Sequence, residues 1–146
     1  MRALVCSELG PADRLSVEEV PDPEPGPGEV VIDVRAAGLN FPDTLIIEGK
    51  YQFRPDPPFT PGGEASGVVS AVGSEVRGFH VGDEVVAMAV SGAFAEKWAV
   101  EASAVMCPNA DGTETARYPF STVPSTERKS GANPSAKAST SSRRWA

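Results

Sequence analysis

The sequence is poor in aromatics, cysteine and long apolar runs, and each shortage removes a class of protein. Aromatic side chains make up 7% of the 146 residues. Only two cysteines are present, Cys6 and Cys107, too few and too far apart for a disulfide framework or a metal knuckle. A reducing, cytoplasmic setting fits that usage. The longest unbroken apolar stretch is Val85–Val90, far short of the ~20 residues that a membrane span needs. Ser7 and Glu8 end the first apolar run before it could serve as a secretion signal. What the chain has in place of these is 14 glycines and 14 prolines, which speaks against long helices and coiled coils.

Charge is distributed unevenly. Residues 1–107 carry 7 Lys/Arg against 17 Asp/Glu, whereas residues 108–146 carry 6 against 3. An acidic body repels phosphate backbones, so residues 1–107 are not expected to bind nucleic acid, and no membrane partner is expected either.

Residues 1–107 read as short strands punctuated by turns. Strands are expected at Met1–Ser7, Leu15–Val20, Gly28–Ala37, Glu64–Val72, Glu84–Val90 and Phe94–Val100. In Gly28–Ala37 the residues Val30, Ile32, Val34 and Ala36 share one face and Asp33 and Arg35 the other. Gly67 inside its strand suggests a bulge or a close backbone approach. One short helix is predicted over Phe41–Glu48, with Asn40 as N-cap, Asp43 completing a capping box, and Gly49 as a left-handed C-terminal stop. Pro21–Gly28 has a proline at every second position and is a stiff connector. The near-repeat Val72-Gly73-Ser74-Glu75-Val76 and Val81-Gly82-Asp83-Glu84-Val85 reads as two turns that each need a glycine. The fold class that follows is mainly β, a small barrel or sandwich with one brief helix.

Residues 120–146 contain seven Ser, three Thr and five Lys/Arg, and Val123 is the only aliphatic larger than alanine. Such a composition cannot offset the entropy of ordering the chain, so residues 109–146 are expected to form a disordered basic tail. A tether to nucleic acid or anionic membrane is an alternative, although scattered charges do not make a patch. Translation out of frame is the third reading.

Three segments together resemble the N-terminal catalytic domain of the medium-chain dehydrogenase/reductase superfamily. They are Ala37–Thr44, Pro61–Val69, and Val72-Gly73 followed by Phe79–Val85. Pro25–Val30 also fits, and the likeness covers residues 1–108. Within the superfamily the sequence is similar to the zinc-independent, zeta-crystallin-like quinone oxidoreductases. The resemblance implies a GroES-like β-barrel in a reductase that uses NADPH to deliver hydride to a quinone or enone. It also implies a homodimer for the full-length family. Zinc-dependent relatives place a Cys where Asn40 stands and a His where Gly63 stands; an amide and a hydrogen cannot replace those ligands. The chain has no G-x-G-x-x-G fingerprint, so a Rossmann domain is expected to be absent. The pattern stops near Pro108, which puts the out-of-frame reading of the tail first. Negligible turnover is expected from this chain alone.

The candidate catalytic residues are Asn40 and Tyr51; Asn40, Phe41, Gly62 and Gly63 are the candidates for cofactor contact. Hydride chemistry asks the protein to orient the acceptor and hydrogen-bond the oxygen that becomes negative. The Asn40 amide can do this, but capping also explains the residue. Tyr51 can donate a hydrogen bond or a proton, or pack on Pro57 or Pro58. Gly62 and Gly63 leave space beside a nicotinamide, or make a turn before Glu64, which pairs or hydrates. Asp43 is read as a helix-terminal carboxylate. His80, the one histidine, is expected to be exposed and without a role, and neither cysteine has a cationic neighbour to activate it. No metal site is expected. A barrel that is not an enzyme, or that serves only as a binding module, is the competing functional reading.

Overall fold

A computed structural model describes residues 1–107. The expectations placed on residues 109–146, whether disordered tail, tether or out-of-frame product, lie outside the described residues. In chain order the elements are β1 (Arg2–Val5), a 3-10 turn (Ala12–Arg14), β2 (Ser16–Glu19), β3 (Glu29–Gly38), α1 (Phe41–Ile47), β4 (Glu64–Val72), β5 (Glu84–Met88) and β6 (Lys97–Glu101). A second 3-10 turn (Ala102–Ala104) and β7 (Val105–Met106) follow.

Strands β6-β3-β4-β5-β7 form one antiparallel sheet, and β1-β2 form a separate hairpin. The hairpin is joined to the rest through the bridges Ala3–Ala95 and Cys6–Phe59. The curled sheet wraps one core, to which Val30 and Ile32 of β3, Val69 of β4, Val85 of β5, and Trp98 and Val100 of β6 contribute. The mainly β class, with one short α-helix among the described residues, is therefore as expected.

The alternation expected for β3 is only partly observed: Val30 and Ile32 are buried, but so is Val31, and Arg35, Ala36 and Ala37 are all exposed. The pairing with β4 slips twice, between Val31 and Ile32 and between Val34 and Ala36. A bulge of this kind turns the following side chains to the other face. Gly67 stands opposite Val34, and a methyl group on it would press on the Asp33 carbonyl and come within 2.7 Å of Ile32 Cγ2. Bulge and close approach thus occur together. The strand expected at Phe94–Val100 begins only at Lys97, since the Phe94 carbonyl is taken by the Leu4 N–H at 2.8 Å. The first strand is likewise shorter than expected, Cys6 being joined to Phe59 by a single bridge.

Salt bridges stitch the N-terminal hairpin to the sheet. Asp22 accepts Lys97 Nζ at 2.6 Å and the Met1 amine at 3.1 Å. Glu96 holds Arg2 at 2.7 Å and accepts the Arg2 N–H at 2.9 Å. Hydrogen bonds from Lys97 and then from the amine keep the Asp22 carboxyl below its ordinary value, and Arg2 does the same for Glu96. The bond to Asp22 raises Lys97. A carboxyl lowered on folding stabilises above its unfolded value, about pH 4, and that stabilisation disappears as pH falls through the folded value. The lysine has the opposite sign and loses its share only in strong alkali. Asp22→Asn should therefore flatten the fall in the urea midpoint between about pH 5 and pH 2. An unchanged slope would remove Asp22 from the account. The groups are solvent-exposed, so the effect should be small and should fade with added salt.

Candidate functional site

The site begins where β3 ends. Helix α1 starts at once, with Asn40 as N-cap in extended backbone (φ −116°) and Asp43 completing the capping box. The Asp43 carboxylate accepts the Asn40 N–H at 2.7 Å. Asp43 is buried together with Ile46 and Ile47 on the inner side of the helix. The helix stops at Gly49, whose φ of 68° is the left-handed value expected of it.

Strand pairing then supplies a partner that is 24 residues away in sequence. Gly38 on β3 faces Glu64 on β4, which carries Glu64 up to the helix start. There the Asn40 amide Nδ2 donates to Glu64 Oε2 at 3.2 Å. Capping uses an acceptor oxygen, so the amide nitrogen remains available to the site, and the two readings of Asn40 are compatible. Glu64 was expected only to pair or hydrate. Its partnership with Asn40 depends on the β3–β4 register, which carries two slips that the sequence does not mark.

A cleft of about 420 Å³ opens at this point. Its lining includes Asn40, Asp43, Ile46, Tyr51, Phe53, Gly63, Glu64, Met88 and Val90. Of the sequence candidates, Asn40, Tyr51 and Gly63 meet here. Tyr51 is half-buried and its carbonyl accepts Arg54 Nε at 3.1 Å. Phe41 and Gly62 do not line the cleft. Phe41 is 75% exposed beside Asn40. Gly62 is buried with a φ of 93°, and a methyl group there would come within 2.7 Å of the Phe94 ring. Backbone conformation and the aromatic neighbour account for that glycine. A Cβ on Gly63 would sit 2.8 Å from the Ala89 carbonyl oxygen, so it too is glycine because backbone passes close by. Phe94 and Ala89 stand where a side chain at these positions would go, while Gly63 still lines the cleft.

Electrostatically the cleft is acidic. Asp43 and Glu64 are its carboxylates, and no Lys, Arg or His is among its lining residues. Met88 and Val90, 58% and 44% exposed, give it an apolar rim. Among the described residues no group of three or more His, Cys, Asp or Glu is placed to hold a metal ion. No helix among them is long and apolar enough to cross a membrane. Cys6 is fully buried, its Sγ lies 3.2 Å from the Glu8 carbonyl, and burial raises its thiol pKa. His80 is exposed on its turn, as expected, and its N–H donates to Asp83 at 2.8 Å.

Comparison with known proteins agrees with this architecture. Residues 26–118 match the alcohol dehydrogenase GroES-like domain. The chain is 41% identical over 96 residues to a mouse synaptic vesicle membrane protein VAT-1 homolog-like, covering 66% of this chain and 23% of that protein. It is 43% identical over 96 residues to rat quinone oxidoreductase-like protein 2, covering 66% of this chain and 27% of the relative. The chain therefore spans about a quarter of the length of these curated relatives. Among solved structures, Escherichia coli quinone oxidoreductase complexed with NADPH superposes with a TM-score of 0.72 at 30% identity, over 78% of this chain and 35% of that one. A bulged antiparallel sheet that ends in an asparagine-capped helix, with this order of motifs along the chain, belongs to the alcohol dehydrogenase GroES-like domain family, among the quinone oxidoreductase-like medium-chain dehydrogenase/reductases.

Proposed function

We propose that this domain is the acceptor side of an NADPH-dependent oxidoreductase that reduces quinones or α,β-unsaturated carbonyl compounds without a catalytic metal. The observation that carries the reading is the meeting of Asn40, Tyr51 and Glu64 in one apolar-rimmed cleft. The donor set does not suit zinc. Asn40 offers a neutral amide, and the Ala89 carbonyl leaves no room for a ligand side chain at position 63.

The same residues do suit a nicotinamide. Ile46, Phe53 and Val90 give the cleft apolar walls, and at Gly63 bare backbone lines it. Asn40 and Gly63 are the residues proposed to hold the ring, with Phe41 standing outside the cleft lining. Gly62 acts one step behind them by shaping the turn. When bound, the reduced nicotinamide supplies the hydride.

What remains for the protein is to orient the acceptor and stabilise its developing negative oxygen. The Asn40 Nδ2 group donates to that oxygen, while Glu64 on its other proton fixes the plane of the amide. Tyr51 provides a second donor and delivers the proton that completes the reduction. With no glycine-rich fingerprint in the sequence, the rest of the dinucleotide has to be held outside this domain, so the chain alone is expected to turn over negligibly.

The test is a titration of the full 146-residue chain with tetramethylbenzoquinone (duroquinone), whose ring has no free carbon for thiol addition. Amide NMR shifts should concentrate at Asn40, Tyr51 and Gly63. Asn40→Ala should weaken binding about fivefold, as loss of one hydrogen bond implies. Shifts that are absent, or that gather elsewhere on the barrel, would overturn the reading.

A further inference from the structure

The proposed function leaves open which quinones or enones the cleft takes. We infer that it selects uncharged acceptors, and that Glu64 is the residue that turns away acceptors bearing a carboxylate, sulfonate or phosphate. The inference rests on the proposed acceptor role of the cleft.

Glu64 is fixed in place. Its Oε2 is held by Asn40 Nδ2 at 3.2 Å, and its carboxylate lies against Gly38, where an added Cβ would be 3.3 Å from Cδ and Oε2. It is only half-exposed, so solvent and salt screen it less than a surface charge. Its partner in the cleft is a neutral amide, which leaves the negative charge uncancelled. A second carboxylate, Asp43, lines the same cleft and is itself buried.

The basic residues of the flanking segments offer no relief: Arg35 lines a separate depression with Ser66 and Glu84, and Arg77 is likewise outside the cleft lining. Lys50 is bound to Glu48 at 2.7 Å, Arg54 is turned to the Tyr51 carbonyl, and neither lines the cleft. The excess of acidic over basic residues in 1–107 adds a field of the same sign. An anionic guest must give up its hydration and face a fixed like charge. Two unit charges about 6 Å apart, at an effective dielectric constant of about 40 for a cleft open to water, repel enough to weaken binding roughly tenfold. A neutral guest of the same shape meets only the apolar walls and the Asn40 and Tyr51 donors.

The experiment compares two anthraquinones substituted at the same ring carbon, one with a sulfonamide and one with a sulfonate, titrated by NMR into the full chain at low salt. The sulfonamide should bind about tenfold tighter or better, with both compounds shifting Asn40, Tyr51 and Gly63. In Glu64→Gln that preference should drop to about threefold or less. In Glu75→Gln, which removes a charge on an exposed turn outside the cleft, it should persist. Equal affinities in the unmodified chain, or a preference that Glu64→Gln leaves intact, would overturn the inference while leaving the acceptor role standing. Failure of both compounds to reach the cleft would instead sink the acceptor role itself. The comparison in the unmodified chain requires no variant, so a Glu64→Gln protein that did not fold would still leave the inference testable.

Discussion

Gly73→Ala should cost at least ~3 kcal/mol, because the added methyl meets backbone and has nowhere to go. It would press on the Gly26 carbonyl and lie 2.6 Å from the Pro27 oxygen and 2.9 Å from the Glu29 oxygen. These carbonyls belong to the turn that feeds β3, and the turn is fastened to the same spot. The Gly73 N–H donates to Glu29 and the Glu75 N–H to Pro27, both at 2.8 Å. Relief would require separating the proline-rich connector from the β4 turn, with loss of both bonds. For a domain of about 100 residues, a destabilisation of that size lowers Tm by roughly 15 °C. Thermal unfolding followed by circular dichroism measures it. Gly82→Ala is the control. Its Cβ would have open space, and only a φ of 99° opposes it, so the expected cost is about 1–2 kcal/mol. A Gly73→Ala protein as stable as Gly82→Ala would refute the packing argument.

Trp98→Ala should destabilise the domain by about 3–5 kcal/mol, the range for removing a buried large aromatic. Trp98 is 4% exposed and sits in the core. On β6 it pairs with Ile32 of β3, and its ring covers Gly92, where a Cβ would come within 2.8 Å of Cδ1. The loss should appear as a shift in the urea midpoint with little change in m, since the cavity forms in the native state. There is a functional corollary. Strand β3 is pinned by β6 on one side and β4 on the other, and its far end presents Asn40. Loosening β6 should broaden the NMR resonances of Gly38 and Asn40 before the sheet as a whole unfolds. A midpoint shift under about 1 kcal/mol would mean that the site collapses around the missing ring.

Local chemistry was legible in the sequence wherever it is resolved within a few residues. The helix at Phe41, its asparagine cap, the Asp43 partner and the glycine stop all follow from short-range hydrogen bonding and backbone sterics. Strand β4 was bounded correctly for the same reason, being enclosed by turns. Events that depend on a distant strand were harder to read. The broken alternation of β3 accompanies two slips against β4, and the late start of β6 accompanies a bond to β1. Strand β7 has only two residues and carries no periodicity to detect. The near-repeats around Gly73 and Gly82 show the limit well. The two motifs are alike in sequence, yet one glycine is required for space and the other for its dihedral. Only the neighbour on the other side of the gap tells them apart.

The candidate site divides along the same line. Asn40, Tyr51 and Gly63 were identifiable from motif resemblance, but their meeting depends on the β3–β4 register. Glu64 was identifiable as a residue but not as a partner, because the contact spans two elements. Phe41 and Gly62 are cofactor-contact candidates through the resemblance, and that they stand outside the cleft lining reflects packing that a motif does not encode.

Gly38 and Glu64 are cross-strand neighbours, so the amide and the carboxylate of the cleft hang from facing ends of one ladder. Their separation is inherited from the ladder, and changing it would mean peeling β3 from β4. A guest therefore arrives at a socket that is already built. Little affinity is forfeited to prior rearrangement, and discrimination between guests has to come from the fixed shape and charge of the socket.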